Sequence, residues 1–65
     1  MNIIVNAQPH EVTGQTLADI LPELGYESPA LATAVNGSFV PRSAREATAL
    51  KNGDRIEILA PMQGG

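Results

Sequence analysis

Asn36-Gly37 is the strongest local constraint on what this chain can fold into. Both residues tolerate positive φ, as the two central positions of a type I′ turn require, and that turn matches the twist of a tight hairpin. Residues 31–35 before the pair read as a strand, with Leu31, Thr33 and Val35 on one face and two alanines on the other. Phe39-Val40 after it reads as the returning strand, and Pro41 ends it. The chain is therefore predicted to carry an antiparallel hairpin in its middle, with the remaining segments completing a sheet around it.

Those segments have little material to work with. Sixty-five residues make one domain, and a core of this size rarely supplies more than about 3–5 kcal/mol of net stability. With no cysteine there is no disulfide, thiolate metal site or iron–sulfur cluster. One histidine, His10, cannot build a metal site by itself. Stability must come from a sheet packed on a helix, and a catalytic pocket of useful volume is hard to fit into such a body. A stand-alone enzyme is not expected.

Ile3-Ile4-Val5 is a β-branched run without polar alternation, suited to a strand covered on both faces. Asn6-Ala7-Gln8-Pro9 reads as a turn. His10-Glu11-Val12-Thr13 then returns as an edge strand, since Pro9 lacks the N–H a central strand needs. Thr16 opens the clearest helix, with Asp19 three residues later to support the cap. Leu17, Ile20, Leu21 and Leu24 form one apolar stripe, Gly25 supplies a left-handed stop, and Tyr26 folds back onto Leu21. Pro22 conflicts with this helix, which is expected to be short, kinked or shifted to start nearer Asp19. Ser43-Ala44-Arg45-Glu46 reads as a capping box opening a helical turn that ends near Leu50. Lys51-Asn52-Gly53-Asp54 is a turn, and residues 55–60 form the last strand with Ile56 and Ile58 facing in.

The fold class is α+β: a mixed sheet of four to five strands packed on one main helix, plus the short helical turn. The first and last strands are the most apolar, so they belong side by side at the sheet centre, parallel because the helix crossover lies between them. That is the ubiquitin-like β-grasp arrangement. Residues 1–60 form the domain, and residues 61–65 form a flexible tail ending in Gly64-Gly65. The tail is expected to present a free α-carboxylate with no Cβ beside it, able to thread a narrow active site. Phe39, Leu59 and Met62 are candidates for exposure on the sheet face away from the helix, as a partner surface.

Seven acidic and four basic residues give a net charge of −3, which lacks the basic footprint of a nucleic-acid binder. The N-terminal residues carry no positive n-region, and no apolar stretch approaches the roughly 20 residues needed to cross a bilayer. A cytoplasmic chain with no membrane contact is the expectation. His10 reads as a surface strand histidine, Asp19 and Glu23 as a solvated helix face, and Gly37 and Gly53 as turn glycines rather than a phosphate cradle. Arg42 and Arg45 are candidates for bridging to an acidic rim on a partner.

The β-grasp order, Gly64-Gly65, Val35-Asn36-Gly37 followed by Val40-Pro41-Arg42, and residues 50–58 (LKNGDRIEI) together resemble the thiamine-biosynthesis sulfur carriers, the ThiS-like proteins. The resemblance covers nearly the whole chain. It implies that a ubiquitin-activating-type adenylyltransferase uses ATP and Mg²⁺ to adenylate the Gly65 carboxylate. A persulfide sulfur donor then attacks, reductive cleavage leaves a thiocarboxylate at Gly65, and thiazole synthase receives the sulfur. Gly64 gives the backbone close passage, and Phe39, Leu59, Met62 and Arg42 are the candidate partner face. The chain itself is expected to bind no cofactor and no metal. The competing readings are the small subunit of molybdopterin synthase, a protein modifier conjugated to lysines, and a β-grasp interaction module with incidental glycines.

Overall fold

The computed structural model describes residues 1–28 and 30–60. Strands β1 (Asn2–Val5) and β2 (Gln8–Glu11) form a hairpin, followed by helix α1 (Leu17–Glu23). Strands β3 (Ala32–Val35) and β4 (Ser38–Val40) form the second hairpin, and a 3-10 helix (Arg42–Ala47) leads to β5 (Arg55–Leu59). The five strands lie in the order β2-β1-β5-β3-β4. β1 and β5 run parallel, while every other neighbouring pair is antiparallel. The expected mixed β-grasp sheet, with the first and last strands adjacent, is what the chain forms.

The core follows the apolar pattern. Ile3 and Val5 of β1, Thr33 of β3, Val40 of β4, and Ile56 and Ile58 of β5 point to one side of the sheet and are buried. Leu17, Ile20 and Leu21 of α1 close over them, joined by Val12, Leu31 and Leu50 from the connections. Helix and 3-10 segment are tied at their bases: Leu17 N–H donates to the Thr48 carbonyl at 2.9 Å, and Leu50 N–H to the Gln15 carbonyl at 2.9 Å.

The helix is short, seven residues, and contains Pro22. α1 starts at Leu17, capped by Thr16, whose Oγ1 accepts from Asp19 N–H while the Asp19 carboxylate accepts from Thr16 N–H. Pro22 therefore falls late in the helix and forgoes one bond, to the carbonyl four residues back. The end is then closed by Gly25 at φ +91°, with Tyr26 N–H donating to the Leu21 carbonyl at 2.8 Å and Gly25 N–H to the Pro22 carbonyl at 3.0 Å. This is the Schellman geometry the Gly25-Tyr26 pair predicts.

Two local expectations are corrected. The first turn is not the four residues from Asn6 to Pro9 but the pair Asn6-Ala7, at φ +48° and +69°; Gln8 and Pro9 already belong to β2. Alanine hides this turn in the sequence because it is rarely left-handed. The Ser43–Glu46 capping box does not form. The 3-10 helix takes Pro41 as its N-cap, has no side-chain cap bond, and ends at Ala47. Burial of Arg45, not capping, fixes this segment.

Candidate functional site

β5 is the central strand of the sheet and the last described element, so the base from which residues 61–65 continue is held on both sides. β1 pairs with it at Ile4–Arg55 and Val5–Ile56, and β3 pairs from Val35–Ile56 to Ala32–Leu59. β1 ends at Val5, yet the β1 side of β5 stays occupied further along. Asn6 Nδ2 donates to the Ile58 carbonyl at 3.0 Å, and Ile58 N–H donates to Asn6 Oδ1 at 2.9 Å. A side-chain carboxamide thus acts as one more backbone unit in the ladder.

The other end of β5 is anchored by a second asparagine. Arg55 N–H donates to Asn36 Oδ1 at 2.9 Å, and Asn36 Nδ2 donates to Asp54 Oδ1 at 3.0 Å. Asp54 Oδ2 accepts from Lys51 N–H at 2.8 Å. The Asn36 amide, then the Lys51 N–H, hold the buried Asp54 carboxyl below the usual carboxylate range. The β3–β4 turn is therefore locked to the start of β5, so the residues of the Asn-Gly motif serve the sheet as well as the turn.

Phe39 and Leu59 are 69% and 70% exposed. Register puts them on one face: Phe39 lies opposite Ala34, and Leu59 opposite Ala32. The two alanines form a low floor between the larger side chains, with Glu57 opposite Ala34 and Ile4 opposite Arg55 further along the face. An apolar ridge with flanking charges suits docking of another protein surface. Arg42 is exposed but lies apart from this ridge, on the helix side, where it lines a groove between α1 and the 3-10 helix. Met62, Gly64 and Gly65 lie outside the described residues.

Of the other titratable residues, Asp19, Glu23 and Arg45 have structural duties. His10 is half-buried on the edge strand opposite Ile3. Asp19 and Glu23 are more than a solvated face. Gln15 and Thr16 N–H groups hold the Asp19 carboxyl below its usual range, and Gly14 and Thr13 N–H groups do the same for Glu23. Arg45, a candidate for surface bridging, is buried instead: its Nε donates to Thr33 Oγ1 and a terminal nitrogen to the Leu31 carbonyl. Its position three residues after Arg42 gives no sequence signal for this. Among the described residues no group of three His, Cys, Asp or Glu side chains could hold a metal ion, and no helix is long and apolar enough to cross a membrane.

Residues 3–65 match the family model described as the ThiS family, a match that runs through both terminal glycines. This chain belongs to the ThiS family. Among ThiS relatives, the sulfur carrier protein ThiS of Thermus thermophilus is 33% identical over 61 residues, covering 94% of this chain and 95% of the relative. A thiazole synthase of Paramagnetospirillum magneticum is 32% identical over 66 residues, which span 100% of this chain but 20% of that larger protein. The ThiS crystal structure from Geobacter metallireducens, titled a thiamine biosynthesis protein, superposes with a TM-score of 0.82 at 33% identity and full coverage of both chains. The solution structure of a thiamine biosynthesis protein from the same organism gives 0.83, covering 100% of this chain and 88% of the other. These ThiS neighbours share the ubiquitin-like β-grasp fold described above.

Proposed function

We propose that this chain is a sulfur carrier for formation of the thiazole moiety of thiamine, and that its reactive group is the Gly65 carboxylate. An α-carboxyl with a pKa of about 3.5 is ionised at neutral pH and is a poor acyl electrophile. A ubiquitin-activating-type enzyme joins it to the AMP of Mg²⁺-bound ATP, releasing pyrophosphate. A persulfide then attacks the acyl carbon and expels AMP, giving an acyl disulfide. Two-electron reduction of its S–S bond leaves the thiocarboxylate on Gly65 and a thiol on the donor. Thiazole synthase takes the sulfur.

In this reaction the chain supplies position rather than acid, base or cofactor. Five residues from Pro61 reach at most about 16–18 Å when extended, so a fixed β5 and a docked Phe39–Leu59 face set where the acyl carbon can go. Gly64 and Gly65 keep the approach narrow.

The observation that carries the reading is the family match through Gly64 and Gly65. The thiazole synthase relative adds support, because a segment like this whole chain occurs within a protein of that name. The test is ATP–pyrophosphate exchange with the activating enzyme, comparing this chain with a version carrying one alanine after Gly65. Exchange with this chain and none with the extended chain is expected. Equal exchange by both would remove Gly65 from its assigned role.

A further inference from the structure

On the helix side of the sheet, opposite the Phe39–Leu59 ridge, α1 and the 3-10 helix leave an open groove of about 960 Å³. Leu21, Pro22, Tyr26 and Pro41 give it apolar walls, and Arg45 lines it from below. Arg45 is 7% exposed. Its Nε donates to Thr33 Oγ1 at 3.2 Å, one terminal nitrogen donates to the Leu31 carbonyl, and Thr33 Oγ1 donates onward to the Val40 carbonyl at 2.8 Å.

All of these acceptors are neutral. Among the described residues no carboxylate lies within 4.0 Å of the guanidinium, and none accepts from its other terminal nitrogen, which is not sealed from solvent. A guanidinium keeps its charge and offers five N–H donors in a planar fork. Most of the residue is out of water with no counter-charge beside it, while the free end of the fork faces the open groove. Arg42 puts a second cation at the groove, exposed. Glu27 and Glu46 also line it, but both stay exposed and neither pairs with Arg45.

We propose that this groove is a second docking surface, and that it takes an acidic side chain of a partner protein. The carboxylate completes the unfilled donors of Arg45, while the atoms next to it rest on Leu21, Pro22 and Tyr26. A carboxylate fits the single available fork. A phosphate dianion fits worse, since it needs more donors and brings a second negative charge towards Glu27 and Glu46. The surface lies across the sheet from Phe39 and Leu59, so two partners can hold the domain at once. The inference stands independently of the sulfur-carrier reading.

The test is a nitrogen-15 NMR titration of the whole chain with sodium acetate as the carboxylate probe, at constant ionic strength against sodium chloride. Acetate is expected to give a saturable shift of the Arg45 Nε–Hε signal and of the Tyr26 and Ser43 amides, with no such shift from chloride. Arg45→Met should weaken acetate binding at least about ten-fold at those amides. If that variant does not fold, Arg45→Lys, which keeps the charge without the fork, is expected to weaken it similarly. Shifts that never saturate, or that scatter over the surface, overturn the proposal. So does inorganic phosphate binding the same signals more tightly than acetate. Concentration-dependent shifts at the groove with dimer-like diffusion assign it to a second copy and overturn it as well.

Discussion

Asn6 brackets Ile58: its carboxamide donates to the Ile58 carbonyl at 3.0 Å and accepts the Ile58 N–H at 2.9 Å. One residue of a turn thereby extends the central strand's pairing beyond the end of β1. Asn6 also sits at φ +48°, where asparagine is among the better tolerated residues. Asn6→Ala should lower unfolding free energy by about 1–3 kcal/mol, because two backbone groups lose their partners. Urea denaturation measures the loss, and hydrogen exchange should show the Ile58 amide opening faster than that of Ile56. Asn6→Gly, which suits the turn but lacks the carboxamide, should show the same exchange effect.

Stability should depend on pH through three carboxyls. Asp54, Asp19 and Glu23 each sit below their ordinary values because they accept hydrogen bonds in the folded chain. A folded-state pKa below the unfolded one stabilises the protein above the unfolded value, near 4, and the gain is lost as pH falls through the folded value. The urea midpoint should therefore be flat from about pH 7 to 5 and decline below about pH 4. Asp54→Asn should lower the midpoint at neutral pH and flatten the acid decline. An unchanged slope in that variant would show that Asp54 does not contribute.

Gly14 has no room for a side chain. A Cβ there would lie 2.6 Å from Asp19 Cβ and 3.3 Å from Ile20 Cγ2. Gly14→Ala must push the 13–16 loop away from α1, straining the Thr16 cap and the Glu23 bonds to Thr13 and Gly14. A destabilisation of about 1–3 kcal/mol is expected from overpacking. Chemical denaturation checks it, and a variant as stable as the parent would mean that the loop yields freely.

Much of the fold is legible in the sequence because local signals agree with the tertiary pattern. Asn36-Gly37, the Thr16–Asp19 cap, the Leu17–Ile20–Leu21 stripe and the Gly25-Tyr26 stop each place an element by short-range chemistry. The rest depends on long-range partners. Asn6-Ala7 is a tight turn because Asn6 reaches a strand 52 residues away in sequence, which no local pattern records. Arg45 is buried because Thr33 and Leu31 accept from it, while its neighbours Ser43 and Glu46, which suggest a capping box, stay exposed. Of the candidate site, Phe39 and Leu59 are readable as exposed apolar residues on a strand; the alanine floor joining them emerges only from the β3 register.

The ridge formed by Phe39 and Leu59 should matter to partners and not to folding. Both side chains are mostly in water already, so Phe39→Ser and Leu59→Ser should each change unfolding free energy by no more than about 0.5 kcal/mol. Conversion of Gly65 by the activating enzyme should slow in either variant. Full conversion rates in both would show that the partner docks elsewhere.

The central claim is that the acyl end of Gly65 is what reacts. The direct measurement is intact-mass analysis after incubation with ATP, Mg²⁺, the activating enzyme and a persulfide donor with a reductant. The account predicts replacement of one oxygen by sulfur, located at Gly65 by fragmentation and absent when ATP is withheld. An unchanged mass, or sulfur found anywhere else in the chain, would contradict it.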